Sequence, residues 1–401
     1  MKKTWVSIPD VLFFQEGPGV RNTQYTTEGV KLLNVANLVD GKIDLSTSDR
    51  YISEEEAYGK YKHFLCDAGD FIIASSGIKV EYIDKKMGFV DDTMLPLCMN
   101  TSTIRFKVLD EKQLRIRYFM YYLKSQNFKE QLFRQITGSA QLNYGPSHLK
   151  KMIIPLISLG KQDEIVACMD KVQNIIDMRQ QELVYLDDLI KARFVEMFGD
   201  PIHNPLGWDM VTFDECLTSI ENGKSFVCDS NAREGEHPGI LKLSAATYGV
   251  YKPEENKAII DSNDFVKSAE VHNGDLLFTR KNTPELVGMA AYVEITPNKL
   301  MMPDLIFRLN TNSKCNKIYM WKLINHDLYR RQVESAASGS AKSMSNISKE
   351  RLGRLSLPLP PIKLQNEFAD FVKQVDKSKF IDIINLLKIL LFFKRGMYYG
   401  N

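Results

Sequence analysis

The sequence predicts a mixed α/β (α+β) chain in which two tandem copies of a globular module are each followed by a long helix. Three observations carry this. Blocks of sequence recur about 203 residues apart, the first part of each copy alternates short β-rich runs with polar turns, and the last part sustains an apolar heptad pattern.

The duplication is explicit. "LKKMIIPLISLGKQDEI" at 149 to 165 aligns with "LGRLSLPLPPIKLQNEF" at 352 to 368, pairing Pro155, Gln162 and Glu164 with Pro358, Gln365 and Glu367 at an offset of 203. Trp5 pairs with Trp208 at the same offset, Gly69-Asp70 with Gly274-Asp275 at 205, and "FMYYL" (119 to 123) with "YMWKL" (319 to 323) at 200. The turn "TGSAQ" at 137 to 141 returns as "SGSAK" at 338 to 342. At 401 residues the chain exceeds one ordinary core, and units of this size are too large to be solenoid repeats, so each copy must hold a domain of its own. The pattern divides the chain into a first module (1–146), a first helical segment (147–204), a second module (205–347) and a second helical segment (348–401).

Within the modules, "DFIIAS" and "STIRFKVL" in the first copy and "DLLFTR" and "DLIFRLN" in the second read as strands, with helical patterns after residues 112 and 314. From Gly160 to Gly199 there is neither Pro nor Gly. Such a run predicts a helix of roughly 38 residues, on the order of 55 Å, stopped by the glycine. Its seam runs through Ile165, Met169, Val172, Ile176, Arg179, Leu183, Leu186 and Ile190, in steps of four and three. Adding 203 gives Phe368, Val372, Val375, Lys379, Asp382, Leu386, Ile389 and Phe393, the same seam in the second copy. A helix longer than its own module needs has apolar surface to bury elsewhere, and its duplicate offers a matching one. If the two pair antiparallel, Arg179 and Asp382 meet near the middle as a register-setting pair of opposite charge.

Composition narrows the function. Hydrophobic residues at 44% and charged residues at 25% describe a folded chain, not a disordered one. A net charge of +2 excludes coating nucleic acid by bulk electrostatics, so any DNA contact must come from local Lys and Arg clusters. The opening "MKKTWVSIPD" lacks the apolar run of a signal peptide, and the longest apolar stretch, Ile383 to Phe393, is shorter than a membrane span, which predicts a cytoplasmic protein without membrane contact. Six cysteines are scattered without a C-x-x-C pair, as structural thiols are.

Reactive constellations are missing. "NGKSF" (222 to 226) ends like a phosphate loop, but Thr218 stands where that motif needs glycine. Asn204-Pro205 is followed by Leu206 and Gly207, not by the second proline and aromatic of an adenine methyltransferase. "EENK" (254 to 257), with Asp261 or Asp264, imitates part of a nuclease site, yet such runs are usually solvated surface. Two alternatives stay open on the residues alone: a self-contained DNA methyltransferase or nuclease, and a coiled-coil scaffold without DNA contact. The modules do present basic and polar residues suited to phosphates and bases: Lys79, Lys85, Lys86, Arg105, Lys107, Arg115 and Arg117 in the first, and Arg280, Lys281, Asn282 and Thr283 in the second.

The order of these parts resembles the DNA specificity subunit of type I restriction-modification enzymes over nearly the whole chain: a module opening on Trp5 or Trp208, a Gly-Asp strand, the Gly-Ser-Ala turn, the Pro155/Gln162 or Pro358/Gln365 entry, and a long helix, closing "RFVEMFGDP" in the first copy. The resemblance implies two target-recognition domains, each reading half of a bipartite double-stranded DNA target, joined by helical spacers packed as an antiparallel, pseudo-two-fold coiled coil. It implies methyltransferase (modification) and restriction (motor-nuclease) subunits as partners, which would carry S-adenosylmethionine and ATP with Mg, and no cofactor or catalysis in this chain. The expected DNA contacts are Ser75, Ser76 and Lys79 after one Gly-Asp strand and Arg280, Lys281 and Asn282 after the other, with Ser139 and Ser340 in a minor role. One departure is that Ile384, Leu387, Leu390 and Leu391 are apolar where the helix should face outward: either a partner helix covers them, which is the expectation, or this C-terminus has drifted and the chain assembles less well than its relatives.

Overall fold

Short apolar strands bounded by turns pair into the same antiparallel sheet twice. In the first module the order is Leu12–Glu16, Thr103–Val108, Phe71–Ala74, Met87–Phe89. In the second it is Leu217–Asn222, Ile306–Thr311, Leu276–Thr279, Ala290–Tyr292. The computed structural model describes residues 4–135, 142–338 and 344–398. Every side chain of Phe71–Ala74 and Leu276–Thr279 is buried, which is why "FIIA" and "LLFT" lack the alternation of a half-exposed strand.

A smaller three-stranded sheet accompanies each. Val30–Leu33 sits between Leu97–Met99 and Tyr51–Ile52, and Gly239–Leu241 between Asn256–Ala258 and Leu300–Met301. Helices Ile116–Leu123 and Gln126–Gln135 cover the first main sheet, with Phe119 packed 4.9 Å from Phe106 on the central strand. Lys317–Ile324 and Asp327–Ser335 are their counterparts.

The opening strand of each module returns to the strand that precedes the long helix. Thr4–Ser7 pairs antiparallel with Ile153–Leu156, setting Trp5 opposite Pro155, and Asp209–Thr212 pairs with Ser356–Leu359. The start of each module and its helix entry are therefore neighbours.

The first long helix runs over Leu159–Phe198, 40 residues, and stops at Gly199, whose φ of +75° suits a residue without Cβ. The Trp208 indole N–H donates to the Phe198 carbonyl at 2.9 Å, satisfying one of the helix's free C-terminal acceptors. The second long helix spans Ile362–Tyr398, 37 residues. The seam is the less exposed stripe on both. Ile176, Ile190, Phe368, Val372 and Val375 are buried, and Ile165, Met169, Val172, Leu183, Leu186, Leu386 and Ile389 are half-buried. Between them Met178 and Tyr185 stay more than 60% exposed.

The chain forms two compact units, Met1–Arg179 with Ile384–Asn401, and Gln180–Ile383. Each combines one module with half of each long helix. In the second unit the helix halves run antiparallel. Phe198 and Phe194 pack on Phe368 with ring centroids 5.3 and 5.5 Å apart, Arg193 lies over the Phe371 ring at 5.8 Å, and Lys379 reaches Asp187 at 2.5 Å. One residue number falls as the other rises. Ile190, Phe194 and Phe198 share a core with Phe278, Phe307 and Tyr319 of the module, so this helix half is part of the domain's interior. Arg179 and Asp382 belong to different units.

Candidate nucleic-acid interface

The Gly-Asp motif builds the scaffold of the site. Asp70 accepts from Arg105 Nη1 at 3.2 Å, and Asp275 accepts from Arg308 Nε at 2.9 Å; both arginines sit on the strand next to the motif's own strand and are nearly buried. Both also donate to backbone carbonyls at matching places, His63 and Leu65 in the first module and Ser268 and Glu270 in the second, and each reaches one further side chain, Gln15 for Arg105 and Glu221 for Arg308. Such a pair ties the sheet to the loop beneath it. Arg105 is thus removed from the expected basic surface.

So are its companions. Lys107 is paired with Asp67 and Asp70, Arg115 with Asp163, and Arg117 with Asp170. The Arg115 guanidinium holds the Asp163 carboxyl below its usual range. These cations are largely compensated, Lys107 by carboxylates of its own module and Arg115 and Arg117 by carboxylates on the first long helix.

At the far end of the Gly-Asp strand the chain turns through a bonded corner in both modules. Ser75 donates its N–H to Ser102 at 2.8 Å and accepts from the Tyr144 N–H at 2.9 Å; Arg280 does the same with Leu305 at 3.0 Å and Ile347 at 2.8 Å. Ser76–Ile78 then pairs with Leu142–Asn143, and Lys281–Asn282 with Ser345–Asn346. A second loop joins each corner. Gly17 donates to Thr103 and Gly223 to Ile306, and a Cβ on Gly223 would fall 2.1 Å from the Pro303 carbonyl oxygen. That close passage, not phosphate binding, is what the glycine of "NGKSF" serves.

The candidate side chains divide at this corner. Ser75 is 1% exposed, with its hydroxyl on Glu16 at 3.4 Å, and Asn282 is 8% exposed, its amide donating to Thr247 and accepting from the Thr283 N–H. Both are spent on holding the corner, so a direct contact by either side chain is not what this geometry offers. Ser76 is half-buried, its hydroxyl on Ser102 at 2.6 Å, and Lys79 is exposed. Arg280 lies over the Phe307 ring at 5.0 Å and donates through Nε and Nη2 to Asn346 at 3.3 and 3.2 Å, leaving its guanidinium half-buried but aimed and held. Lys281 is half-buried beside it. Ser139 and Ser340 lie outside the described residues.

Two residues at the corner escaped the sequence reading. Asn346, which orients Arg280, stands 203 residues after Asn143 in the matching strand, so the repeat itself marked it. Lys224, exposed on the turn after Gly223, was set aside with the failed phosphate loop. It leaves the turn that meets Ile306, next to the Leu305 that receives Arg280. Among the described residues no group of three or more His, Cys, Asp or Glu is placed to hold a metal ion. No described helix is long and apolar enough to cross a membrane.

On the long helices, Phe380, Ile381, Ile383 and Leu387 are each more than 40% exposed, while Ile384 is half-buried. The side chains of Leu390 and Leu391 lie outside the described part.

Comparison with known proteins gives these features a common setting. The type I restriction modification DNA specificity domain matches residues 25–186 and again 205–390. The chain is 30% identical over 370 residues, 87% of its length and 80% of the relative's, to a protein named as the type I restriction enzyme MjaX specificity subunit of Methanocaldococcus jannaschii. It is 29% identical over 243 residues to the EcoEI specificity subunit of Escherichia coli, covering 58% of this chain and 41% of that one. With several such relatives the match thus spans well under the whole of their length. In fold it resembles the S subunit from M. genitalium, with a TM-score of 0.51 at 14% identity over 99% of this chain and 95% of that one. It also resembles a chain solved in work on complex assembly and conformational transition of the type I R-M system, with a TM-score of 0.56 at 16% identity over 98% and 96%.

Proposed function

Since the chain belongs to the family of type I restriction modification DNA specificity domains, we propose that it is the non-catalytic, sequence-specific DNA-recognition and scaffold subunit of such an enzyme. Each module reads one half of a bipartite target, and the long helices set the distance between the halves. The observation that carries this reading is the bonded corner, built to one plan in both modules yet bearing different side chains. It has Ser76 and Lys79 in one copy and Arg280, Lys281 and Lys224 in the other. A shared scaffold with unlike tips is what two readers of unlike half-sites require.

Arg280, pinned by Asn346 and Phe307, is the base-reading candidate of the second module, because an oriented guanidinium can engage guanine bidentately. Lys79, Lys281 and Lys224 serve as phosphate contacts. Catalysis belongs to partners: methyltransferase subunits with S-adenosylmethionine and restriction subunits with ATP and Mg. Methylation needs the target base out of the stack, so those subunits sit beside the readers. The exposed apolar positions Phe380, Ile381, Ile383 and Leu387 are where a partner helix covers the second long helix.

The test is to map methylated bases genome-wide in cells that carry this chain with its partner subunits. An asymmetric motif of two specified blocks at fixed spacing is expected, altered in its second block alone by Arg280→Ala. Binding of S-adenosylmethionine by the isolated chain, or methylation indifferent to this chain's presence, would overturn the proposal.

A further inference from the structure

Gln162 and Gln365 are charge-neutral, fully buried, and bonded through both ends of the side-chain amide. Gln162 Oε1 accepts from the Arg115 backbone N–H at 2.8 Å, while Nε2 donates to the carbonyls of Gln113 at 2.8 Å and Ile157 at 2.9 Å. Gln365 repeats this on the Asn316 N–H at 2.8 Å and the carbonyls of Lys314 at 3.1 Å and Pro360 at 2.7 Å. One amide in the first turns of each long helix thus fastens three segments. These are the helix itself, the short link between it and the preceding strand, and the loop that opens the module's helix pair.

A second tie lies just outside the first. In copy one the Arg115 guanidinium grips Asp163 at 2.8 Å, the residue after Gln162. In copy two the Asn316 side chain donates to Asn366, the residue after Gln365, at 2.8 Å. A third is common to both. Tyr118 donates to the Pro155 carbonyl and Tyr319 to the Pro358 carbonyl, at 2.9 and 2.6 Å. The ring and ion-pair chemistry around these ties varies between the copies, but the amide does not.

Resting on the proposed reading of a bipartite target, we infer that Gln162 and Gln365 are positioning residues for spacing: they fix the direction in which each helix leaves its reader. A buried amide suits this better than packing alone. An apolar contact tolerates small rotations, whereas three hydrogen bonds to backbone atoms of two other segments hold one orientation, and a slipped helix leaves buried donors and acceptors unpaired. The helix is long, so an error of angle at its base becomes an error of position at its far end. A lever about 60 Å long that tilts by about 5° moves its tip by about 5 Å, more than the rise of one base pair. The latch therefore governs how sharply the complex discriminates half-sites one base pair too near or too far.

The experiment uses the full chain assembled with its methyltransferase subunits on plasmids carrying both mapped half-sites at the native separation, one base pair shorter and one longer. Sequencing reads the methylated fraction. For Gln162→Met, and separately Gln365→Met, the preference for the native separation over its neighbours falls about tenfold, while the base preference within each half-site is unchanged. A purely structural role would lower total methylation at all three separations alike. If either variant fails to assemble, Asp163→Ala removes the outer, exposed tie and shows a smaller loss of the same preference. An assembled Gln162→Met or Asp163→Ala complex with wild-type preference overturns the inference while leaving the proposed function in place. A wild-type complex indifferent to separation overturns both.

Discussion

Arg105 and Arg308 stand on equivalent strands, grip the aspartate of equivalent Gly-Asp turns and donate to carbonyls at equivalent positions. One strand away, Ser75 and Arg280 occupy equivalent corners, and one is sealed against Glu16 while the other extends over Phe307 toward Asn346. The contrast separates two kinds of constraint. A buried ion pair cannot lose one partner without leaving an uncompensated charge, so both copies keep it. A corner whose backbone is already bonded on both sides can present different side chains without disturbing the sheet, so the copies diverge there.

That contrast can be broken most directly at the ion pairs. Asp70→Ala should cost about 3–5 kcal/mol in the first unit, since it leaves Arg105 buried without its carboxylate, and Asp275→Ala less in the second, where Arg308 keeps Glu221 at 2.8 Å. Denaturant midpoints measured for both variants check this; equal losses would show that Glu221 does not compensate Arg308 once Asp275 is gone.

The next test concerns a place where the copies disagree inside the fold. Tyr121 donates its hydroxyl to Asp170 at 2.6 Å, but the second module has Lys322 at the matching position, its ammonium 3.5 Å from the Trp321 ring centroid. Burial pulls the Lys322 pKa down to about 8, against the nearby carboxylates of Asp376 and Asp187, which raise it. With the folded value below the unfolded one, the native state binds fewer protons between about 8 and 10.5, so this residue's destabilising effect is complete below pH 8 and fades as pH climbs through that window. Lys322→Met should therefore raise stability at pH 7 by on the order of 2 kcal/mol, with the advantage shrinking toward pH 10, read from paired denaturation curves. An advantage independent of pH would assign the gain to packing.

At the diverged corner, Arg280→Ala should weaken binding to the second half-site by about 1–3 kcal/mol and leave the first untouched, measured on half-site substitutions in the assembled complex. Loss spread over both half-sites would instead make Arg280 a support of the fold. The smallest expected effect is at the helix midpoints. If the heptad equivalence of Arg179 and Asp382 makes them a register pair, a double-mutant cycle of Arg179→Ala and Asp382→Ala shows a coupling of about 0.5 kcal/mol or more. Additivity within error would remove them as a register pair.

The parts legible in the sequence were those with a period or an offset. The seam from Ile165 to Ile190 and from Phe368 to Ile389 could be counted out, and the structure places it on the less exposed stripe of both long helices. The equivalence of Gln162 and Gln365 was visible, although its meaning was not, because the carbonyls that the amides reach lie in loops whose approach no spacing reveals. The ion pairs of the basic row in the first module were not legible for a related reason. The partners of Arg105 and Arg115 are carboxylates 35 and 48 residues away, and pairing over such distances is written only in the fold. Ser75 and Asn282 do lie at the corner that follows each Gly-Asp strand, but a corner's backbone must be held by something, and these two side chains hold it.

The division of the long helices between the units bears on how the chain reaches its folded state. Gln180–Ile383 is one uninterrupted stretch, so every contact of the second unit is available once that stretch has left the ribosome. Met1–Arg179 is emitted first yet is completed by Ile384–Asn401, some two hundred positions later. Closing so long a loop is slow relative to the local contacts by which Ile165 and Val166 already pack on the first module's core. The half of the protein that is made first is thus the half whose last segment is made last.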